Sequence, residues 1–219
     1  MPAVADNTYI LTTPDQRQFV PMENTAWTLR GILVDNAGVP IQASQLSSLR
    51  LWLHLRDDTA VPSGGINSVS NTDILNDGVR GTIGNGKAVV GATINTAQDD
   101  YYGRVRLQIT AHGYNAGDFI GIRGIRGIKG ANGDWFIDVV GVDHVELIGS
   151  SGTGAYLSGG TATRGLQVQL QPADNAIVDT ATAIGSTEWH EAYVLATYGG
   201  GKTAAFLFHF QVTNLGKAT

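Results

Sequence analysis

The chain has no cysteine among its 219 residues. That excludes disulfide staples and thiolate metal sites and suits synthesis in a reducing cytosol. Charge is also scarce: Asp, Glu, Lys and Arg make up 15% of the chain, and the net charge is −5. No lysine- or arginine-rich run occurs, so bulk nucleic-acid binding lacks its electrostatic footprint. No apolar run approaches the roughly 20 residues of a membrane-spanning helix. The opening MPAVADNTYILTTPDQRQF lacks a basic start followed by an apolar centre, so it does not read as a signal peptide.

Glycine is plentiful, with 29 residues, and apolar content is ordinary at 42%. Many turn residues and few charges suit short strands joined by tight loops. SLRLWLHLRD alternates, with Leu49, Leu51, Leu53 and Leu55 on one face and Arg50, Trp52, His54 and Arg56 on the other. TAWTLRGILVD reads as a strand ended by the turn chemistry of Asp35, Asn36 and Gly38. QASQLSSL is compatible with a short helical turn. VRGTIGNGKAVV predicts a hairpin with Asn85-Gly86 at its tip, a pair that accepts positive φ. LQVQLQP, EAYVLATY and TAAFLFHFQVTNL read as three later strands. In the last, Phe206, Phe208, Phe210 and Val212 share a face. A closing hairpin of this kind suits an immunoglobulin-like sandwich.

Between these flanks, His112 to Gly160 alternates short apolar runs with glycine-rich turns and has no helical period. The expectation is an all-β chain: an immunoglobulin-like β-sandwich over 25–87 plus 165–219, interrupted by a small β-barrel over 88–164. Residues 1–24 form an extended N-terminal arm in this reading. Insertion at a loop tip is tolerated when the guest's ends lie close together. The arm carries the apolar residues Tyr9, Ile10, Leu11, Phe19 and Val20. It is either a frayed terminus or an element that packs on a neighbouring subunit.

Residues 101–130 carry Arg104, Arg106, Arg123, Arg126 and Lys129 against one acid, Asp118; residues 131–146 carry Asp134, Asp138, Asp143 and Glu146 and no base. Charge balance across adjacent strands explains this layout. The sharper alternative is a basic edge and an acidic edge that meet in neighbouring copies. Arg123, Arg126 and Lys129, spaced by the triplets Gly121-Ile-Arg-Gly124-Ile-Arg-Gly127-Ile-Lys-Gly130, then form a basic rim. Collagen would need many more such triplets, with proline, so a strand followed by a bulged turn is expected.

Motifs of catalysis are weak. Ala196-Thr-Tyr-Gly-Gly-Gly201-Lys202-Thr203 satisfies a relaxed phosphate-loop pattern, but the residues that follow alternate as a strand where a helix is required. None of His54, His112, His144, His190 and His209 has the spacing of a metal site. Glu188-Trp-His190-Glu191 is the densest polar cluster and reads as structural. There is no Gly-x-Ser-x-Gly elbow. A non-enzyme without cofactor or metal is expected.

Several short motifs line up in order: Ala111-His112-Gly113, Gly117-Asp118, Ile122-Arg-Gly124-Ile125-Arg-Gly127, Asn132-Gly133-Asp-Trp135, Val145-Glu-Leu147, and Gly152-Thr-Gly154-Ala-Tyr156 with Gly159-Gly160. As a set they resemble the small barrel module named for the first catalytic cysteine half-domain of ubiquitin-activating enzymes, in the form found in tailed-phage structural proteins. The ubiquitin chemistry does not carry over, because its cysteine lies outside the module and this chain has none. The flanking Ile66-Asn67, Thr72-Asp73-Ile-Leu75-Asn76, Leu170-Gln-Pro-Ala-Asp174-Asn175, Glu188-Trp-His190-Glu191 and Phe210-Gln-Val212-Thr-Asn214-Leu215 resemble tailed-phage virion proteins with an immunoglobulin-like fold.

The resemblance implies a virion component assembled in a bacterial cytoplasm, with other virion proteins and further copies of itself as partners. A capsid decoration protein anchored by its arm is the leading expectation, with Tyr9, Ile10, Leu11, Phe19, Val20, Arg123, Arg126 and Lys129 as candidate interface residues. A neck or tail component is the nearest alternative. A glycan-binding adhesin is a third, since Trp27, Trp52, Trp135, Tyr101, Tyr102 and Tyr156 offer rings to sugars, although core packing explains them as well. A nucleotide hydrolase is the most distant.

Overall fold

The computed structural model describes residues 8–10, 26–55, 69–75, 77–96, 103–179 and 182–216. Its strands are β1 (Thr8–Ile10), β2 (Trp27–Gly31), β3 (Leu46–Leu55), β4 (Thr72–Asp73), β5 (Gly81–Thr82), β6 (Gly86–Ala88), β7 (Gly91–Ile94), β8 (Val105–Gln108), β9 (Phe119–Arg123), β10 (Gly133–Val139), β11 (His144–Leu147), β12 (Thr161–Arg164), β13 (Leu166–Leu170), β14 (Thr187–Tyr198) and β15 (Lys202–Thr213). The helical turns among the described residues are 3-10 turns at Ala43–Gln45 and Pro172–Asn175. The fold is all-β, as the alternating patterns predict.

The described residues divide into two compact units, one within 1–31, 45–82 and 167–219, the other within 32–44 and 83–166. The first is a β-sandwich. One sheet has the order β1-β15-β14-β3-β4 and the other the order β2-β13-β5. The long strands β14 and β15 pair antiparallel from Thr187↔Thr213 to Tyr198↔Lys202. Their buried positions alternate: Ala192, Val194, Ala196 and Tyr198 on β14, Phe206, Phe208, Phe210 and Val212 on β15. Leu49, Leu51 and Leu53 of β3 continue that face and are fully buried. Each such side chain contributes about 2 kcal/mol of transfer free energy. From the three-stranded sheet, Leu29, Val168 and Leu170 are buried as well, and the Trp27 ring lies 5.2 Å from that of Phe210. That ring contact joins one sheet to the other. The β14–β15 turn runs through Gly199, Gly200 and Gly201, all at positive φ, which side-chain-bearing residues rarely adopt.

The second unit is a curled sheet of order β6-β12-β9-β10-β11-β8-β7. Its core joins Val105, Leu107, Ile120, Ile122, Ile125, Ile128, Ile137, Val145, Leu147 and Ala162. Among the described residues no strand ladder closes it into a barrel. Its two edge strands, β6 and β7, are consecutive in the chain with Val89 and Val90 between them. Val89 donates its amide to Gly160 on one side and Val90 donates to Gln108 on the other, so the bend itself spans from edge to edge.

Two local expectations change. Residues 32–44 lie with the second unit: β2 stops at Gly31, Ile32, Leu33 and Ile41 are buried, and Ala43 donates to Gly84. The predicted turn at 35–38 is present, with the Asp35 carboxylate accepting the amides of Ala37 and Val39 at 2.9 Å. The hairpin predicted at Asn85-Gly86 is absent. β5 pairs with β13, and β6 pairs with β12, so the two halves of that pattern join different sheets. Gly86 lies inside β6, and the Asn85 side chain accepts the Ser44 amide at 2.8 Å. A dipeptide that tolerates a tight turn does not force one when both flanks have longer-range partners.

Candidate functional site

The glycine triplets are the most distinctive local feature. β9 ends at Arg123, and the chain then advances in three-residue steps. Ile122, Ile125 and Ile128 are buried in the core, Arg126 and Lys129 are exposed, and Gly124, Gly127 and Gly130 have φ of +80°, +97° and +81°. After each glycine the next residue, Ile125, Ile128 or Ala131, is buried again. A Cβ on Gly127 would collide with the Ala155 carbonyl oxygen. Single backbone bridges, Arg126 to Ser158 and Lys129 to Thr153, tie the steps to the 153–158 segment. Asn132 pins the first step: its Oδ1 accepts the Ile125 amide and its Nδ2 donates to the Ile125 carbonyl, both at 2.9 Å. The expected strand and bulged turn is thus a strand followed by repeated left-handed corners.

The two charged halves of this unit meet inside it. Arg106 faces Glu146 in direct β8–β11 register and pairs with it at 2.5 Å. Arg104 pairs with Asp138 at 3.3 Å and Arg123 with Asp134 at 2.7 Å. Asp118 pairs with Arg164 at 2.8 Å. This is charge balance within one sheet. It occupies Arg123 within the unit and leaves Arg126 and Lys129 as outward cations with no ion pair among the described residues.

The candidate interface residues therefore fall in separate places. The backbone of Tyr9 and Ile10 runs in β1, parallel to β15, in the register Tyr9↔Phe206 and Ile10↔Leu207. Leu11, Phe19 and Val20 lie outside the described residues. Arg123, Arg126 and Lys129 belong to the other unit.

Three histidines, His112, His190 and His209, hydrogen-bond within the fold. His112 Nδ1 accepts the Tyr114 amide at 2.9 Å, which leaves Nε2–H to donate to the Gly141 carbonyl at 2.8 Å. Tyr114 donates its hydroxyl to the Ala162 carbonyl at 3.0 Å. Burial pushes this phenol up to about 12; Arg164 opposes the shift and Asp118 adds to it. The polar cluster Glu188-Trp-His190-Glu191 splits by strand alternation: Glu188 and His190 point inward, while Glu191 pairs with the exposed His209 at 2.7 Å. Among the described residues no group of three or more His, Asp or Glu is placed to hold a metal ion. The Gly-Gly-Gly-Lys sequence is the β14–β15 turn and is followed by a strand, so it cannot cradle a phosphate in the way a helix N-terminus does.

The rings considered for sugar stacking divide as well. Trp27 packs on Phe210, Trp52 meets Tyr193 edge-on at 5.6 Å, and Trp135 donates its indole N–H to the Ala131 carbonyl at 3.1 Å. Tyr101 and Tyr102 lie outside the described residues. Tyr156 is half-buried against the core, with its hydroxyl 3.0 Å from the carbonyl oxygens of both Val89 and Gly159.

Comparison with known proteins adds little. No family model matches the chain, and no curated protein matches it. Among solved structures, the collagen-binding subdomain of the Enterococcus faecalis surface protein ACE is 11% identical, covers 54% of this chain and 92% of its own, and has a TM-score of 0.11. A likeness of that size carries no argument.

Proposed function

We propose that this chain is a non-enzymatic structural protein of a tailed-phage virion, and specifically a capsid decoration protein. One observation carries the reading. The residues that resemble the phage barrel module are the ones that hold this unit's own turns. His112, Asn132, Trp135 and Tyr156 each direct side-chain polar atoms to the backbone of a bend, and Gly124, Gly127, Gly154, Gly159 and Gly160 occupy left-handed corners. A motif set spent on shape supports a module whose work is to present a surface.

The arm fits the same reading. Thr8–Ile10 pairs with β15 as the outermost strand of its sheet, so the N-terminal segment is competent to extend a sheet. In a particle, many weak arm and rim contacts sum through avidity. The exposed Arg126 and Lys129 then face acidic patches of neighbouring subunits, where rim charges set register and association rate.

The test is binding to particles. Full-length protein added to purified capsids lacking it should co-sediment, and a variant lacking residues 1–24 should fold yet stay in the supernatant. Normal co-sedimentation of the shortened protein overturns the anchoring role of the arm. Copy number separates the two virion positions: decoration requires hundreds of copies per particle, whereas a neck or tail ring requires about six or twelve.

A further inference from the structure

Beyond that reading, and independent of it, we infer that the edge groove of the second unit is a binding site for a neutral oligosaccharide. The groove is open to solvent, is bounded by β7, by the outward faces of β8 and β11, by Ile128 and by the segment 154–156, and has a volume of about 660 Å³. That lies within the roughly 300–1,000 Å³ typical of small-ligand sites.

Strand register places its polar groups. On the outward face, Gly91, Gln108 and His144 form one rung, and Thr93, Arg106 and Glu146 form the next. Alternation along each strand puts both rungs on the same side. Gly91 matters for what it lacks: a Cβ there would stand 2.9 Å from the Gln108 Oε1, so the glycine makes room for the amide to lie across the strand. Tyr156 also lines the groove, and its ring is fixed by its hydroxyl contacts to Val89 and Gly159.

This chemistry selects a polyol. Gln108, His144 and Thr93 offer both donors and acceptors, which suits vicinal hydroxyls, and a fixed aromatic ring suits the apolar face of a sugar. Charge argues against an anion. Glu146 is 2% exposed and accepts from Arg106 Nε at 2.9 Å and from its NH2 at 2.5 Å, so the guanidinium lines the groove already neutralised. Among the described residues no other lysine or arginine lines the groove. An extended peptide added to the β7 edge would instead depend on backbone pairing and little on Gln108 or His144.

The experiment uses the full chain. It is titrated, with amide chemical shifts as readout, against linear neutral oligosaccharides of glucose, galactose and N-acetylglucosamine, against sialylated and sulfated glycans, and against an extended peptide library. At least one neutral oligosaccharide should bind and shift residues 91–93, 106–108, 144 and 156. Gln108→Ala, His144→Ala and Gly91→Ala should each weaken it about tenfold, the loss expected for one to two hydrogen bonds. All three lie on or beside a solvent-facing groove, and unchanged thermal melting confirms that each variant is folded. Failure of every neutral glycan to bind overturns the inference. So does a preference for the acidic glycans or for peptides, or binding that survives all three substitutions.

Discussion

Glu188 and His190 stand two residues apart on β14, so both point to the buried face, and Glu188 Oε1 lies 2.5 Å from His190 Nε2. The same carboxylate accepts the backbone amides of Val178 and Asp179 at 3.0 and 2.7 Å. The pair thus clamps the chain entering β14 onto the sandwich core. His190 is fully buried, and its Nδ1 has no hydrogen-bond partner among the described residues. A proton on Nδ1 would have nothing to donate to.

Acid sensitivity follows. Burial lowers the His190 pKa below 6.5, although the Glu188 carboxylate pulls the other way. Folding therefore holds the imidazole neutral, while the unfolded chain takes up a proton near 6.5. Stability is whole above that pH and falls as pH drops through it, by up to about 1.4 kcal/mol per pH unit until the folded pKa is reached. Urea unfolding across this range should show the slope, and His190→Leu should flatten it. A slope unchanged in the variant contradicts the assignment.

Gly127→Ala should be severe. The residue needs positive φ, and the new methyl meets the Ala155 carbonyl. Strain and displacement together cost about 3 kcal/mol or more. Hydrogen exchange should show lost protection centred on 122–130 and 153–160. Gly113→Ala, with open space around its Cβ and only the φ cost, should lose about 1 kcal/mol. Equal effects at the two sites would contradict the close-packed corner.

In the sandwich, Arg80 holds the nearly fully buried Asp174 through two bonds, at 2.5 and 3.1 Å. Asp174 also accepts the Gln171 amide at 2.7 Å. Arg80→Ala strands a buried carboxylate and should cost about 3–5 kcal/mol in chemical denaturation. Arg80→Lys keeps the charge but not the fork, and should recover only part of that loss. A loss under about 1 kcal/mol for Arg80→Ala would show that water replaces the guanidinium.

Much of the fold was legible because alternation is local. Leu49, Leu51 and Leu53, and Phe206 through Val212, declare their face by spacing alone. Arg106 and Glu146 could be suspected as partners from the split of basic and acidic stretches, but their direct opposition depends on β8–β11 register, which local pattern does not carry. The same limit hid the groove. Gln108 and His144 are ordinary polar residues in VRLQ and HVEL until pairing brings them to one rung. Asn85-Gly86 misled for the converse reason: its local turn preference yields to two separate long-range ladders.

The glycine triplets lie between these cases. Their period was visible, and so was the division into buried isoleucine and outward cation. What the corners pack against, the 153–158 segment, is about thirty residues further along the chain and required the three-dimensional fold.

Everything proposed for the arm and the rim rests on the chain being a multicopy structural part of a phage particle. Quantitative peptide mass spectrometry of phage particles purified from cells that make this chain tests this directly. The chain should be present in fixed proportion to the major shell protein, at hundreds of copies per particle. Absence from purified particles would contradict the structural role.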